Sequence, residues 1–326
     1  MDVASTIDPE IAAGLAASPV GKIDFGSYDL ETVPDLRAAM AGMPAVELPA
    51  PTVDIRDEVV DENDQGAAPL VRVYNAGHGS GRPCVYWIHG GGYLFGSALT
   101  RDLRLERWAT TFDCVAVAVD YRLTPENPYP APLEDCHAGL CWTANHADDL
   151  GIDPARITVV GASAGGGLGA GLTLLARDRA EVAVAHQVLM YPMIDDRNVT
   201  PSSHIVGTPV WNRAANLLGW RAYLGREPGD DDVSVYAAPA RATDLANLPP
   251  TFIGVGNLDG FRDEDVEFAL RLLAAGVPTE LHVYPGAVHG FEVILPTAAV
   301  SQRCQRDLDA ALERALRPAS EAVRAS

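Results

Sequence analysis

Residues 157–165 read Ile157-Thr158-Val159-Val160-Gly161-Ala162-Ser163-Ala164-Gly165, an apolar β-branched run that leads into a Gly-x-Ser-x-Gly pentapeptide. The run predicts a buried strand, and the small residues after it predict the start of a helix. A turn this tight leaves no room for side chains beside the serine, which is why glycine stands on both sides. The pattern predicts a nucleophile elbow that presents Ser163 at the carboxyl end of a sheet. A glycine-rich turn without chemistry is the alternative.

A second glycine-rich turn lies upstream and favours the first interpretation. His89-Gly90-Gly91-Gly92 follows Cys84-Val85-Tyr86-Trp87-Ile88, which reads as a central strand. Consecutive glycines leave backbone N–H groups unhindered, and acyl transfer needs such donors, with the N–H of Ala164, around an oxyanion. We interpret His89 as a residue that orders this loop rather than as a base.

The candidate base and acid follow the serine along the chain. His289-Gly290-Phe291 comes after a strand-like stretch that ends in Pro285-Gly286, and Asp259 comes just after the predicted strand 251–256. The order Ser163, Asp259, His289 is the nucleophile–acid–base order of α/β hydrolases. Asp263 and Glu264 fall where a helix should begin, so we expect them to cap that helix and to be solvated. The other six histidines lack a comparable loop context, namely His78, His137, His146, His186, His204 and His282.

Together these stretches resemble the hormone-sensitive-lipase-like esterase family of α/β hydrolases. The resemblance rests on residues 89–93, 120–126, 129–135, 161–166, 259–264, 284–286 and 289–291, in the family's order and approximate spacing. It implies that the N–H groups of Gly91 and Gly92 join that of Ala164 in the oxyanion hole. The chain departs from the usual family pattern at Ala162 and at Gly260-Phe261. Neither departure removes a triad group, but both bear on loop geometry and substrate preference.

The predicted fold class is α/β, with a mostly parallel sheet of about eight strands, helices on both faces and a helical cap. The predicted strands are residues 53–60, 70–74, 84–88, 114–120, 157–160, 186–190, 251–255 and 280–284. We divide the chain into an N-terminal cap segment (1–45), a first core part (46–194), a cap insertion (195–236) and a second core part (237–326). By resemblance, the two cap segments lie together over the active site. Tyr93 and Trp211 are the candidate substrate contacts, with packing of the cap as the alternative for Trp211.

Composition narrows the class of partner. The 326 residues carry a net charge of −20, which argues against binding to nucleic acid or to an anionic membrane. No segment has the length and apolar character of a membrane span. Five cysteines, with no Cys-x-x-Cys pair, favour reduced thiols and a cytoplasmic location. We expect no metal and no organic cofactor. A homodimer is left open.

The sequence thus predicts a serine carboxylesterase acting on short- to medium-chain esters of small molecules. Ser163 would attack the ester, His289 would move the proton and Asp259 would orient His289. Two alternatives share these residues. One is an amide, formamide or lactone hydrolase, because cap and pocket shape direct the same acyl chemistry. The other is a ligand-binding relative without catalysis, which the presence of His289 disfavours.

Overall fold

The computed structural model of the protein describes residues 6–43, 48–62, 66–100 and 102–317. The predicted boundary between residues 45 and 46 lies outside the described residues. So do the first five and last nine residues of the predicted terminal segments.

Among the described residues the centre of the fold is a sheet of eight strands in the order β1-β2-β4-β3-β5-β6-β7-β8. The strands β3 to β8 run parallel to one another, and β1 and β2 pair antiparallel at one edge. The bounds are β1 Ile55–Val59, β2 Leu70–Tyr74, β3 Arg82–Ile88, β4 Val115–Asp120, β5 Ile152–Ala162, β6 His186–Met190, β7 Thr251–Gly256 and β8 Thr279–Tyr284.

Helices cover both faces of this sheet. Helices α6 and α10 both pack on β5 and β6, so they lie on opposite faces. Helix α4 packs beside α6, and an ion pair between Arg107 and Asp309 (2.6 Å) joins α3 to α10. The bounds are α1 Pro9–Ala17, α2 Val33–Ala41, α3 Leu103–Thr111, α4 Ala131–Asn145, α5 Ala147–Leu150, α6 Ala164–Arg179, α7 Arg213–Leu224, α8 Arg262–Ala274, α9 Phe291–Ile294 and α10 Ala299–Leu316.

This architecture confirms the predicted α/β-hydrolase fold and the mostly parallel sheet of eight strands. The one large difference in a strand is β5, which begins at Ile152 and not at Ile157. Its first half is half-exposed and pairs with β3 only at Ile152 and Arg82, before a shift in register. Because this half lacks a continuous apolar run, the hydrophobic pattern does not reveal it.

The two segments predicted to form a cap pack against each other. The short turn Phe25–Ser27 of the N-terminal segment contacts α7 of the 195–236 segment. Phe25 is buried, with its ring 6.0 Å from that of Trp211. Trp211 lies two residues before α7 begins.

The buried central strands fix the positions of the loops that form the active site. Strands β3, β4 and β7 are buried almost along their whole length, as expected for central parallel strands with helices on both faces. The loops that follow β3, β5, β6 and β7 therefore start from fixed points at one edge of the sheet. In the described part of the chain, no helix is both long enough and apolar enough to span a bilayer.

Candidate active site

Ser163 sits at the sharp turn between β5 and α6, as the pentapeptide predicts. Its backbone has φ 56° and ψ −122°, a strained conformation for a residue with a side chain. A Cβ on Gly165 would lie 2.2 Å from the carbonyl oxygen of Ile88, so that position accepts only glycine. The Ser163 N–H donates to the Met190 carbonyl (2.9 Å), which ties the elbow to the end of β6. The strain is thus held by packing on the neighbouring strands.

The three predicted catalytic side chains form one hydrogen-bonded line. The Ser163 hydroxyl lies 2.9 Å from Nε2 of His289, and Nδ1 of His289 lies 2.8 Å from Oδ2 of Asp259. A carboxylate can only accept, so Nδ1 carries the proton and Nε2 is left to accept from the serine. Because all three are buried, water competes little for these bonds. The arrangement is suited to general-base activation of a hydroxyl.

Asp259 is fixed by a second contact. Its Oδ1 accepts the backbone N–H of Phe261 at 3.0 Å. The ring of Phe261 meets the His289 ring edge-on, with the ring centroids 5.1 Å apart. Position 261 is one of the two departures from the usual family residues, and here it packs against the base.

The predicted oxyanion loop lies next to the serine. Gly91 has φ +115° and Gly92 has φ +59°, and a Cβ at Gly92 would lie 2.0 Å from the ring of Trp211. Within the described ranges, no hydrogen bond uses the N–H of Gly91, Gly92 or Ala164. Buried backbone N–H groups usually have partners. Gly92 and Ala164 are buried and Gly91 is half-buried, so three donors beside Ser163 are available to a ligand.

His89 lies in this loop without touching Ser163. Its Nδ1–H donates to the Gly90 carbonyl (2.7 Å), and its ring stacks on Tyr121 with centroids 4.2 Å apart. Burial lowers the pKa of His89, which favours the neutral imidazole. These contacts fit a loop-ordering residue and give it no path to the serine proton.

A cavity of about 590 Å³ opens onto Ser163 and His289. Trp211 lines it, together with Gly91 and Gly92. The ring centroid of Trp211 is 6.4 Å from that of His289. The N-terminal segment, which the resemblance places over the active site, contributes further walls. No motif in the sequence marks the individual residues, which are Ser18, Val20, Phe25 and Met40. Only the folded chain brings them to the serine.

Tyr93 does not line this cavity, so its prediction as a substrate contact is wrong. It is completely buried, its ring stacks on Tyr223 at 4.0 Å, and its hydroxyl donates to the Met193 carbonyl (3.3 Å). The cause is a backbone φ of +65°, which turns the side chain away from its glycine neighbours and into the core. Sequence adjacency to the glycine loop did not reveal this turn.

The expected roles of Asp263 and Glu264 are also wrong. Helix α8 begins at Arg262 with no side-chain cap. Glu264 is 2% exposed, and its Oε1 accepts the N–H groups of Ile194 (3.0 Å) and Asp195 (3.1 Å). Burial raises the pKa of Glu264 well above its usual value. Asp263 accepts the N–H of Ser202 at 2.7 Å. Both carboxyls therefore tie the segment after β6 to the first turn of α8, which follows the loop that carries Asp259.

Two residues that no motif marks also line the cavity, namely Tyr191 and Arg104, and Glu292 contacts the first of them. Tyr191 follows β6 and meets the His289 ring edge-on at 4.7 Å, and its hydroxyl donates to Glu292 at 2.5 Å. Burial, with the Glu292 carboxyl, raises the pKa of Tyr191 well above its usual value, so the phenol stays neutral. The sequence signal for Tyr191 is its position directly after a parallel strand, since the loops that follow such strands meet at one edge of the sheet.

One group within the described ranges has the composition of a metal site. Ligand atoms of His137, Cys141 and Glu181 lie within 4.8 Å of one another. Arg179, however, donates to His137 Nδ1 at 3.1 Å, which leaves Nε2 to carry the proton toward Glu181 Oε2, also at 3.1 Å. Burial raises the pKa of Cys141 to about 11. A metal ligand needs a bare nitrogen and a thiolate, so this donor set fits a hydrogen-bonded chain better than an ion.

Comparison with known proteins fits this geometry. Residues 85–293 match the model of a family described as having the alpha/beta hydrolase fold. The chain therefore belongs to the α/β-hydrolase family. Within that family it is one of the hormone-sensitive-lipase-like esterases, as its motifs predict.

Named relatives and solved structures are similar over most of the chain. Esterase LipI of Mycobacterium tuberculosis is 38% identical over 210 residues, 64% of this chain and 65% of that relative. Carboxylesterase NlhH of the same organism is 39% identical over 242 residues, 72% of this chain and 74% of that relative. The structure of a bacterial heroin esterase superposes with a TM-score of 0.86 at 42% identity, covering 96% of this chain and 99% of that one.

Proposed function

We propose that this carboxylic ester hydrolase cleaves short- to medium-chain esters of small molecules through Ser163, His289 and Asp259 and a covalent acyl-enzyme. The observation that carries the proposal is the continuous line of hydrogen bonds from the Ser163 hydroxyl to the Asp259 carboxyl, at the wall of a cavity of about 590 Å³. The ester hydrolase class itself follows from the family and from relatives named esterase and carboxylesterase.

In the first half of the reaction, Ser163 attacks the ester carbonyl carbon. His289 Nε2 takes the hydroxyl proton, and the Asp259 carboxyl stabilises the imidazolium through Nδ1. The carbon–oxygen bond to the alcohol then breaks as His289 returns the proton to the leaving oxygen. In the second half, water replaces the alcohol and follows the same path in reverse, which releases the acid and restores Ser163.

The negative charge on the carbonyl oxygen needs donors that are already in place. The N–H groups of Gly91, Gly92 and Ala164 are the proposed donors, because each is close to Ser163 in the chain fold and free of partners within the described ranges. Ala164 is also the first residue of α6, so the positive end of the helix dipole adds to the stabilisation.

The size of the cavity supports the substrate range. A volume of about 590 Å³ is ordinary for a small-molecule site. We propose that the N-terminal segment and residues 195–236 together form its cap, since Phe25 and Trp211 meet above the serine. A cavity of this size suits small esters in solution better than lipid droplets.

The thiols support a reducing compartment. All five cysteines are free, and four of them are buried. We therefore keep the cytoplasm as the proposed location. A homodimer remains a prediction.

A hydrolysis screen of wild type beside Ser163→Ala tests the proposal. The screen uses p-nitrophenyl esters from acetate to palmitate, the matching p-nitroanilides, N-formyl compounds and lactones. We expect turnover that peaks at acyl chains of about eight carbons or fewer and no turnover in Ser163→Ala, whose fold is checked by circular dichroism. Faster amide, formamide or lactone cleavage would move the assignment to that class. Retained esterase activity in Ser163→Ala would remove the proposal.

A further inference from the structure

The cavity at Ser163 carries a cation on its wall. Arg104, the second residue of α3, lines the same cavity as Ser163 and His289, and 26% of its side chain is exposed. The neighbouring walls from the sheet are Trp87 and Ala118, both apolar. Asp102 lines the cavity as well, beside Arg104. A guanidinium on a largely apolar wall is costly to place there unless it has a partner.

Two aromatic rings hold this guanidinium. Its central carbon lies 4.7 Å from the ring centre of Trp87 and 5.8 Å from that of Trp108. Trp108 is itself anchored, because its Nε1–H donates to Asp309 at 3.0 Å. Stacking on a ring fixes the position of an arginine without using any of its N–H donors.

Those donors remain available. Within the described ranges, no hydrogen bond involves the guanidinium of Arg104, and the closest acidic oxygen, Asp102 Oδ2, lies 3.7 Å from Nη2. The other oxygen of Asp102 is engaged, since it accepts the backbone N–H of Arg104 at 2.9 Å. Arg37 is a useful contrast, because its guanidinium donates four hydrogen bonds to Leu94, Thr124 and Glu126. Arg104 is held in position without a hydrogen bond to its guanidinium, whereas Arg37 uses four of its five N–H donors.

The charge of Arg104 persists at every working pH. Burial opposes the charge, but the carboxyls of Asp102 and Glu292 outweigh it, and the pKa of Arg104 is raised. Glu292 already accepts the hydroxyl of Tyr191, and Asp102 caps α3. The two carboxyls reduce the local positive potential without saturating the N–H donors, so any gain from an anionic ligand is moderate.

We propose that Arg104 binds a carboxylate on the substrate, so that the enzyme prefers esters with a second, ionised carboxyl group remote from the scissile bond. A planar guanidinium with available N–H donors matches a carboxylate in a paired arrangement. This inference rests on the proposed function of Ser163. The reaction stays simple: water adds across the acyl–oxygen bond, the alcohol leaves, and the remote carboxylate is unchanged.

Matched substrates test the inference on both sides of the ester. Mono-4-nitrophenyl adipate against 4-nitrophenyl methyl adipate compares a charged and a capped acyl chain. 4-Butanoyloxybenzoate against its methyl ester compares a charged and a capped leaving group, on the alcohol side of the ester. We expect wild type to favour the carboxylate of one pair by roughly tenfold in kcat/KM, the size of a charge-assisted contact. Arg104→Met should abolish that ratio, and Arg104→Lys should retain part of it.

A control on the same helix separates charge from structure. Arg107 is half-exposed and pairs with Asp309 away from the cavity, so Arg107→Met should leave the ratio as in wild type. Equal rates within both pairs, or a ratio that Arg104→Met does not change, would overturn the inference while ester hydrolysis stands. If the methyl-capped esters are preferred, Arg104 does not recognise a carboxylate.

A binding measurement keeps the test independent of turnover. Calorimetry with Ser163→Ala compares monomethyl adipate with dimethyl adipate, neither of which that variant can consume. Tighter binding of the monoacid, lost in the double variant with Arg104→Met, supports the inference even if no ester in the kinetic set is turned over. Equal binding of the two compounds would overturn it, whatever the fate of the proposed triad.

Discussion

Replacing Asp259 by asparagine tests the orientation of His289 more sharply than any deletion. The side chain keeps its shape, and the Phe261 N–H (3.0 Å from Oδ1) still demands an acceptor. The amide oxygen must therefore stay at that position, which puts the NH₂ group where Oδ2 now lies, 2.8 Å from Nδ1 of His289. Two donors would face each other unless the imidazole moves its proton. We expect the proton to move to Nε2.

A proton on Nε2 is the wrong tautomer for catalysis, because that nitrogen must accept from Ser163 at 2.9 Å. A triad whose acid is changed to the amide loses about 10⁴ in kcat. That loss corresponds to about 5.4 kcal/mol of activation free energy, at 1.36 kcal/mol for each factor of ten. We expect kcat for p-nitrophenyl butyrate to fall by this order, with a melting temperature near that of wild type.

The control for this experiment is Asp263→Asn. Asp263 accepts the Ser202 N–H and pairs with Arg262 at 2.7 Å, without contact to His289. Its replacement should change kcat by less than about tenfold, because only a loop contact weakens. If Asp259→Asn retains a tenth of wild-type turnover, or if Asp263→Asn is the more damaging change, the proposed assignment of the acid is wrong.

Three further changes have outcomes fixed by the structure. In Gly92→Ala the new Cβ would lie 2.0 Å from the Trp211 ring, so the N–H of residue 92 should shift away from the oxyanion. Turnover, measured with active-site titration, should then fall about 10²–10³-fold. Unchanged turnover would place the oxyanion donors elsewhere. Burial raises the pKa of Asp265, so the folded state keeps its proton at a pH where the unfolded chain has lost it. The free energy of unfolding therefore falls as the pH rises above the usual pKa of an aspartate. Asp265→Asn should therefore melt higher than wild type at pH 8 and close to it at pH 4.5; the reverse order would contradict the linkage. Arg37→Gln removes the bidentate pair with Glu126 that holds α2 on the core, and should raise KM more than it lowers kcat; an unchanged KM would show that this contact does not position the cap.

The sequence by itself determined the features whose cause is local. The elbow at Ser163 follows from a turn too tight for flanking side chains, and the parallel sheet follows from continuous apolar runs between helical stretches. The chain order of Ser163, Asp259 and His289 was enough to expect them together, because loops after parallel strands meet at one edge. The structure brings these three side chains within hydrogen-bond distance of one another.

Tertiary structure alone decided what depends on contacts between distant segments. Tyr93 stands next to the glycine loop in sequence, yet its positive φ sends the ring into the core. In the sequence Glu264 stands near the start of a helix, yet in the fold its buried carboxyl accepts the backbone N–H of Ile194, 70 residues earlier. Arg104 carries no motif and becomes a cavity wall only when α3 packs over Trp87. Burial and charge balance are properties of the folded surroundings, and no local pattern in the chain encodes them.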